Sequence, residues 1–132
     1  MDFSEYEREI EEVVRRMLKG DTYGYFMKHA IIVSAELDDF KRLIPLPERV
    51  EEAVRKSAWT CVKVCTDKPE RSFAECWRSL ARTGLTEEEV AFLDKFWKYH
   101  VEKAHHYAQA LRNYVLERFR ERREELERIT LL

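Results

Sequence analysis

The sequence predicts an all-α protein, a four- to five-helix bundle with a very long C-terminal helix. Three observations carry that reading. Only 3 Gly and 3 Pro occur in 132 residues, far too few for the turns a hairpin sheet needs. Apolar residues recur every three or four positions over most of the chain, which is helical spacing. The chain is 45% hydrophobic yet 38% charged, the second figure well above the usual ~25%. So much apolar content folds, and so much charge needs the broad solvated surface of long helices. We treat residues 1–132 as a single domain, since no linker, repeat or low-complexity tract divides them.

The elements follow in order. Ser4 and Glu7 have capping-box spacing, and Tyr6, Ile10, Val13, Val14 and Met17 continue at helical intervals to Gly20, a natural stop. This predicts a first helix over 4–19. Asp21 or Thr22 caps a second, whose broad face is Tyr23, Phe26, Met27, Ala30, Ile31, Ser34 and Leu37. Pro45 and Pro47 end it and open the third, which runs to Cys65 with Val50, Val54, Ala58, Cys61 and Cys65 on one stripe. A fourth starts at Asp67 and Pro69, faces inward with Phe73, Cys76, Trp77 and Leu80, and stops at Gly84.

Thr86 and Glu89 form another capping-box pair, and no breaker follows. Val90, Leu93, Trp97, Val101, Ala104, Ala108, Leu111, Val115 and Phe119 step by three or four, and the pattern resumes at Leu126 and Ile129. One unbroken helix of about 44 residues would reach roughly 65 Å at 1.5 Å per residue. It would act as the spine and leave a projecting tail over about 117–132. Residues 117–128 hold five Arg, five Glu and two apolar residues. Phe119, Leu126, Ile129 and Leu131 are therefore expected to contact another subunit.

The cysteines admit two readings. Cys61 and Cys65, one turn apart, are half of a zinc set, which only His29 and His100 could complete. If helices three and four form an antiparallel hairpin, Cys61 and Cys76 lie at one height and are the disulfide candidate. Three buried thiols acting as small hydrophobes are the plain alternative. Glu102 and His105 make one Glu-x-x-His. A ferritin-like metal bundle needs a second such motif and two more inward Glu, and Glu36 with His29 is all that the chain offers. No metal or cofactor is expected. No Ser/His/Asp set, phosphate-cradling Gly loop or Cys/His nucleophile spacing occurs, so neither an enzyme nor a small-molecule substrate is expected.

Charge is segregated. Residues 1–12 hold six acids and one Arg. Residues 53–83 hold seven Lys/Arg against three acids, and 95–116 hold four against one, with three His besides. Lys63, Arg71, Arg78, Arg82, Lys95, Lys98, Lys103 and Arg112 are the candidate contacts to a nucleic-acid backbone. Net charge is −2, so any such contact comes from placement, not from overall charge. Asn113 and Gln109 are the single Asn and the single Gln, and amide depletion with charge enrichment is a thermophile pattern.

The functional expectation is a non-enzymatic assembly protein that associates with itself and packs along nucleic acid, as a capsid protein of an archaeal virus would. The alternative is a small helical subunit or regulatory module working through protein contacts. No run reaches the ~18 apolar residues of a membrane span. The acidic start Met1-Asp2-Phe3-Ser4-Glu5 lacks the regions of a signal peptide. Synthesis in the cytoplasm is therefore expected, with a virion as a later setting.

Overall fold

The computed structural model describes residues 1–129 and 132. The described residues are helical, without strands: a 3-10 turn at Ser4–Tyr6, then α1 (Glu7–Leu18), α2 (Thr22–Leu43), α3 (Glu48–Asp67), α4 (Phe73–Arg82), α5 (Glu87–Arg118), a 3-10 turn at Arg120–Arg122, and the short α6 (Arg123–Glu127). Among them no helix is long and apolar enough to cross a membrane.

The spine is α2, not the last helix. Ile31, Ile32, Val33, Ser34, Ala35, Glu36 and Leu37 are seven consecutive buried residues. A helix buried around its whole circumference must be enclosed by its neighbours. Those neighbours are α1, α3 and α5. Gly24 lets α1 come close: a Cβ there would stand 2.8 Å from Arg16 Cβ and 3.2 Å from the Val13 carbonyl. The α1–α2 turn is fixed by Gly20 at φ +77°. Its amide bonds the Met17 carbonyl and that of Asp21 bonds Arg16, the pairing of a glycine-terminated helix end.

Local signals had mixed outcomes. Asp21 caps α2 and Thr86/Glu89 form a full capping box. Ser4 does not cap the first helix, because its amide and hydroxyl both bond the Asp2 carboxylate. Glu7 reaches across the bundle instead, accepting from Tyr114 and Arg118. Helix four begins later than expected, at Phe73 behind the cap Ser72. Its buried side is Cys76, Trp77 and Ala81, while Leu80 is exposed. Helix five buries Leu93, Phe96, Tyr107, Leu111, Val115 and Leu116, and leaves Val101 63% exposed. The three-and-four stepping from Val90 to Phe119 includes Leu93, Leu111 and Val115 of this face but passes over Phe96, Tyr107 and Leu116.

The largest departure is at the C-terminus. No projecting tail exists over the described residues. Helix five ends at Arg118, and Phe119 takes a non-helical conformation. The chain then folds back, and Leu126 ends fully buried. Phe119 and Ile129 are partly buried against the same core, and Leu132 is buried. Ile129 comes beside Met17, Gly20 and Thr22 at the α1–α2 turn, and the Lys28 ammonium donates to the Leu132 carbonyl. Hydrophobic burial favours the return, since a solvated extension would leave these side chains in water. Leu131 lies outside the described residues.

Cys61 and Cys76 are joined, with Cα atoms 6.1 Å apart, and tie α3 to α4; Cys65 is free and buried.

Two predictions follow from the packing. Leu126→Ala is expected to lower unfolding stability by about 2–5 kcal/mol, the cost of emptying a filled core position; urea denaturation measures it. A projecting tail would instead give a change near zero. Replacing Cys61 and Cys76 together by Ala removes a cross-link 15 residues long. The expected loss is about 3 kcal/mol from restored unfolded-chain entropy, read as a lower thermal midpoint under non-reducing conditions.

Candidate functional site

A cleft of about 460 Å³ opens between the N-terminal half of α2, the start of α4 and the middle of α5. Tyr25, Phe26 and His29 come from α2, Arg71 and Phe73 from the α4 entrance, and His100, Ala104, His105 and Ala108 from α5. Its walls are aromatic. The His29 ring lies 4.6 Å from Tyr25, edge on, and 5.5 Å from Phe73, while Phe26 and Phe73 stack at 6.3 Å. No carboxylate lines it. Concave, mainly apolar sites with a few polar groups are where ligands bind.

Behind the cleft is a buried pair. The Glu36 carboxyl, 0% exposed, is 2.8 Å from His100 Nδ1. Burial raises the Glu36 pKa, and the His100 hydrogen bond opposes that rise. Whichever group holds the proton, Nδ1 is committed, and Nε2 is the ring nitrogen left to an occupant of the cleft. The imidazole is further held by Trp77 at 5.3 Å and Trp97 at 5.6 Å. Glu36 Oε2 and Trp77 Nε1 are buried with no hydrogen-bond partner among the described residues. Such atoms are uncommon, and they often mark a site with a role beyond packing.

His29 is pushed down to about 4 by burial, then by the charges of Lys28 and His100. It is neutral at neutral pH, with one ring nitrogen a donor and the other an acceptor. Glu36 therefore pairs with His100, not His29. Glu102 and His105 are both exposed. Among the described residues no group of three or more His, Cys, Asp or Glu is arranged to hold a metal ion.

Of the eight candidate cations one lines this cleft, and four more lie on the α4 and α5 helices that form two of its walls. Arg71 is part of its rim. Arg78 stacks on Trp97 at 4.3 Å and reaches Asp94 at 3.9 Å. Arg82 follows Arg78 by one turn on the same edge of α4. On α5, Lys98, Val101, His105, Ala108 and Arg112 repeat at three- and four-residue steps, so they share one stripe beside the cleft, about 20 Å from end to end. Three cations lie elsewhere. Measured from Trp97, Lys95 and Lys103 are about 160° and 120° around α5, against about 100° for Lys98, and Lys63 is about 160° around α3 from Cys61. Among the described residues, Arg71, Arg82, Lys98 and Arg112 make no ion pair. Acids also stand near this face: Asp94, which Arg78 engages, and the exposed Glu70, Glu75 and Glu102.

The sequence reading missed the cleft. It had weighed His29, Glu36 and His100 only as metal ligands. No local motif joins residues 29, 36, 73 and 100; what signal there was lay in a Glu and a His at apolar-face positions of two long helices.

Comparison with known proteins gives no further guide: no protein-family model, curated protein or solved structure matches this chain.

The His29 shift has a consequence for acid stability. Its folded pKa is below the unfolded value of 6.5, so the unfolded state binds the proton first as pH falls. The stability it contributes is present above 6.5 and lost on going down to about 4. Glu36 acts with the opposite sign, because its folded pKa is raised. In His29→Phe, destabilisation between neutral pH and about 4 is expected to be smaller than in the parent chain, as urea unfolding at a series of pH values would show. Parallel curves for the two proteins would contradict the assignment.

Proposed function

We propose that this chain is a non-enzymatic helical protein that binds the phosphate backbone of nucleic acid along its α4–α5 face. One observation carries the reading: Arg71, Arg78, Arg82, Lys98 and Arg112 belong to that face, and among the described residues only Arg78 of the five has a carboxylate partner. Unpaired cations set along two neighbouring helices can neutralise successive phosphates, which is the main source of sequence-independent affinity. The acids of α1, by contrast, are in part consumed internally. Glu12 binds Arg15 and Arg16, and Glu7 binds Arg118.

The packing narrows the assembly part of this proposal. Phe119, Leu126 and Ile129 pack on the chain's own core, so contact between copies falls to other surfaces or to the nucleic acid that aligns them. A coat protein of a thermophile's virus and a subunit of a nucleoprotein complex are both settings for such a face.

One feature favours a second reading, a protein-binding module. Val101, 63% exposed, sits amid the basic stripe, and an apolar centre ringed by cations also suits an acidic amphipathic helix.

Fluorescence anisotropy with labelled oligonucleotides at several salt concentrations decides between them. Binding is expected to weaken with salt, with a logarithmic slope of about −3.5 for five phosphates of a single strand. Arg71, Arg78 and Arg82 changed together to Glu are expected to abolish it. The control triple Lys63, Lys95 and Lys103 to Glu makes the same change in net charge on other faces, and its affinity is expected to stay within about threefold of the parent. Equal losses in both triples would show that net charge matters and placement does not. Indifference of the parent chain to nucleic acid would leave the protein-binding module.

A further inference from the structure

We propose that the cleft between α2, α4 and α5 receives one unstacked base of a single-stranded nucleic acid whose phosphates run along the basic rim. The inference rests on the reading of the α4–α5 face given above and adds to it a preference for single strands. A face that only tracks phosphates has no need of a cavity. This one has a cavity of about 460 Å³ in the middle of its cationic stripe. Arg71 and His105 line its mouth, with Lys98 and Arg112 before and after them on the α5 side.

The chemistry of the lining fits a base better than it fits other occupants. Stacking on aromatic side chains is how single strands are held without regard to sequence, and Tyr25, Phe26 and Phe73 supply such surfaces around His29. A base also carries donors and acceptors along its edge, which a purely apolar pocket would leave unsatisfied. Here two imidazoles offer them. His29 is uncharged and provides one donor and one acceptor, and His100, fixed at Nδ1 by Glu36, has Nε2 to offer. A cationic occupant is disfavoured, since no Asp or Glu lines the cleft and Arg71 stands at its rim. In a duplex the same bases are paired and stacked, and reaching the cleft would cost unpairing.

The test compares three labelled ligands by anisotropy: a twelve-residue oligothymidylate, an abasic twelve-mer with the same number of phosphates, and the duplex of the oligothymidylate with oligoadenylate, which carries twice as many. The oligothymidylate is expected to bind about tenfold more tightly than either of the others. Ala104→Phe fills the cleft without removing any core side chain. It is expected to bring oligothymidylate down to the abasic affinity and to leave the abasic strand unchanged. Phe73→Ala, checked for folding by circular dichroism, is expected to do the same by removing a wall.

If the oligothymidylate binds no more tightly than the abasic strand and the duplex, and all three weaken with salt, the base pocket is wrong and the phosphate-tracking face survives. Should none of them bind, the reading of the face fails and the pocket fails with it. Saturable binding of thymidine monophosphate alone, competing with no strand and lost in Ala104→Phe, would make the cleft a site for free nucleotides and overturn the single-strand assignment.

Discussion

The enclosure of α2 is the constraint on which the rest depends. Seven successive residues from Ile31 to Leu37 are shut away from water, so every neighbouring element must present an apolar side to it. One of the seven is Glu36. A carboxylate placed there is expensive unless it is paired or neutral, and His100 is the partner that the packing of α5 delivers. The pair thus answers a requirement of the core. Because α5 must bring an imidazole to that point, it also brings the stripe from Lys98 to Arg112 alongside α4. Core and surface are set by one placement.

The turn that leads into the first helix is fastened to α2 and α3 by polar contacts. Tyr6 donates to Asp38 at 2.6 Å, and Arg55 of α3 bonds Asp38 at 2.5 Å and Tyr6 at 3.2 Å. These groups are only partly buried and so carry modest energies individually. Their effect is to fix the angle at which α1 and α3 flank α2. Apolar contact alone would fix it less sharply, because the hydrophobic effect has no direction.

How much of this was legible in the sequence depends on the range of the interaction concerned. Thr86 and Glu89 find each other three residues apart, and Asp21 finds the amide of Tyr23; both caps read correctly. Ser4 and Glu7 have the same spacing but lost to competitors, Asp2 nearby and Tyr114 and Arg118 more than a hundred residues away. The end of α5 was invisible for a related reason. Residues 117–128 contain no Gly or Pro, and their alternating Arg and Glu favour a helix locally. The break at Phe119 serves Leu126, whose buried position is made by other helices. The inward face of α5 is legible in part: Leu93, Leu111 and Val115 are core, whereas Val101 keeps helical step with them but lies beside the cleft, 63% exposed. The cleft itself needs α2, α4 and α5 together. Periodicity identified each of these helices, but it does not state how they are arranged. The aligned cations on α4 and α5 stood between these extremes: their segment was legible, and which five of eight converge was not.

The bridge between Cys61 and Cys76 has a mechanical meaning. It makes α3 and α4 a single stiff body, and that body carries the Arg71, Arg78 and Arg82 side of the cleft, while α5 carries the other. With α4 tied to α3, any slide of α4 past α5 carries α3 with it. Packed helices typically move in this way, through small shears. The guanidinium of Arg78, over the Trp97 ring across that seam at 4.3 Å, suits such travel: a cation can shift over an aromatic face and keep much of its contact, where a directional hydrogen bond would break.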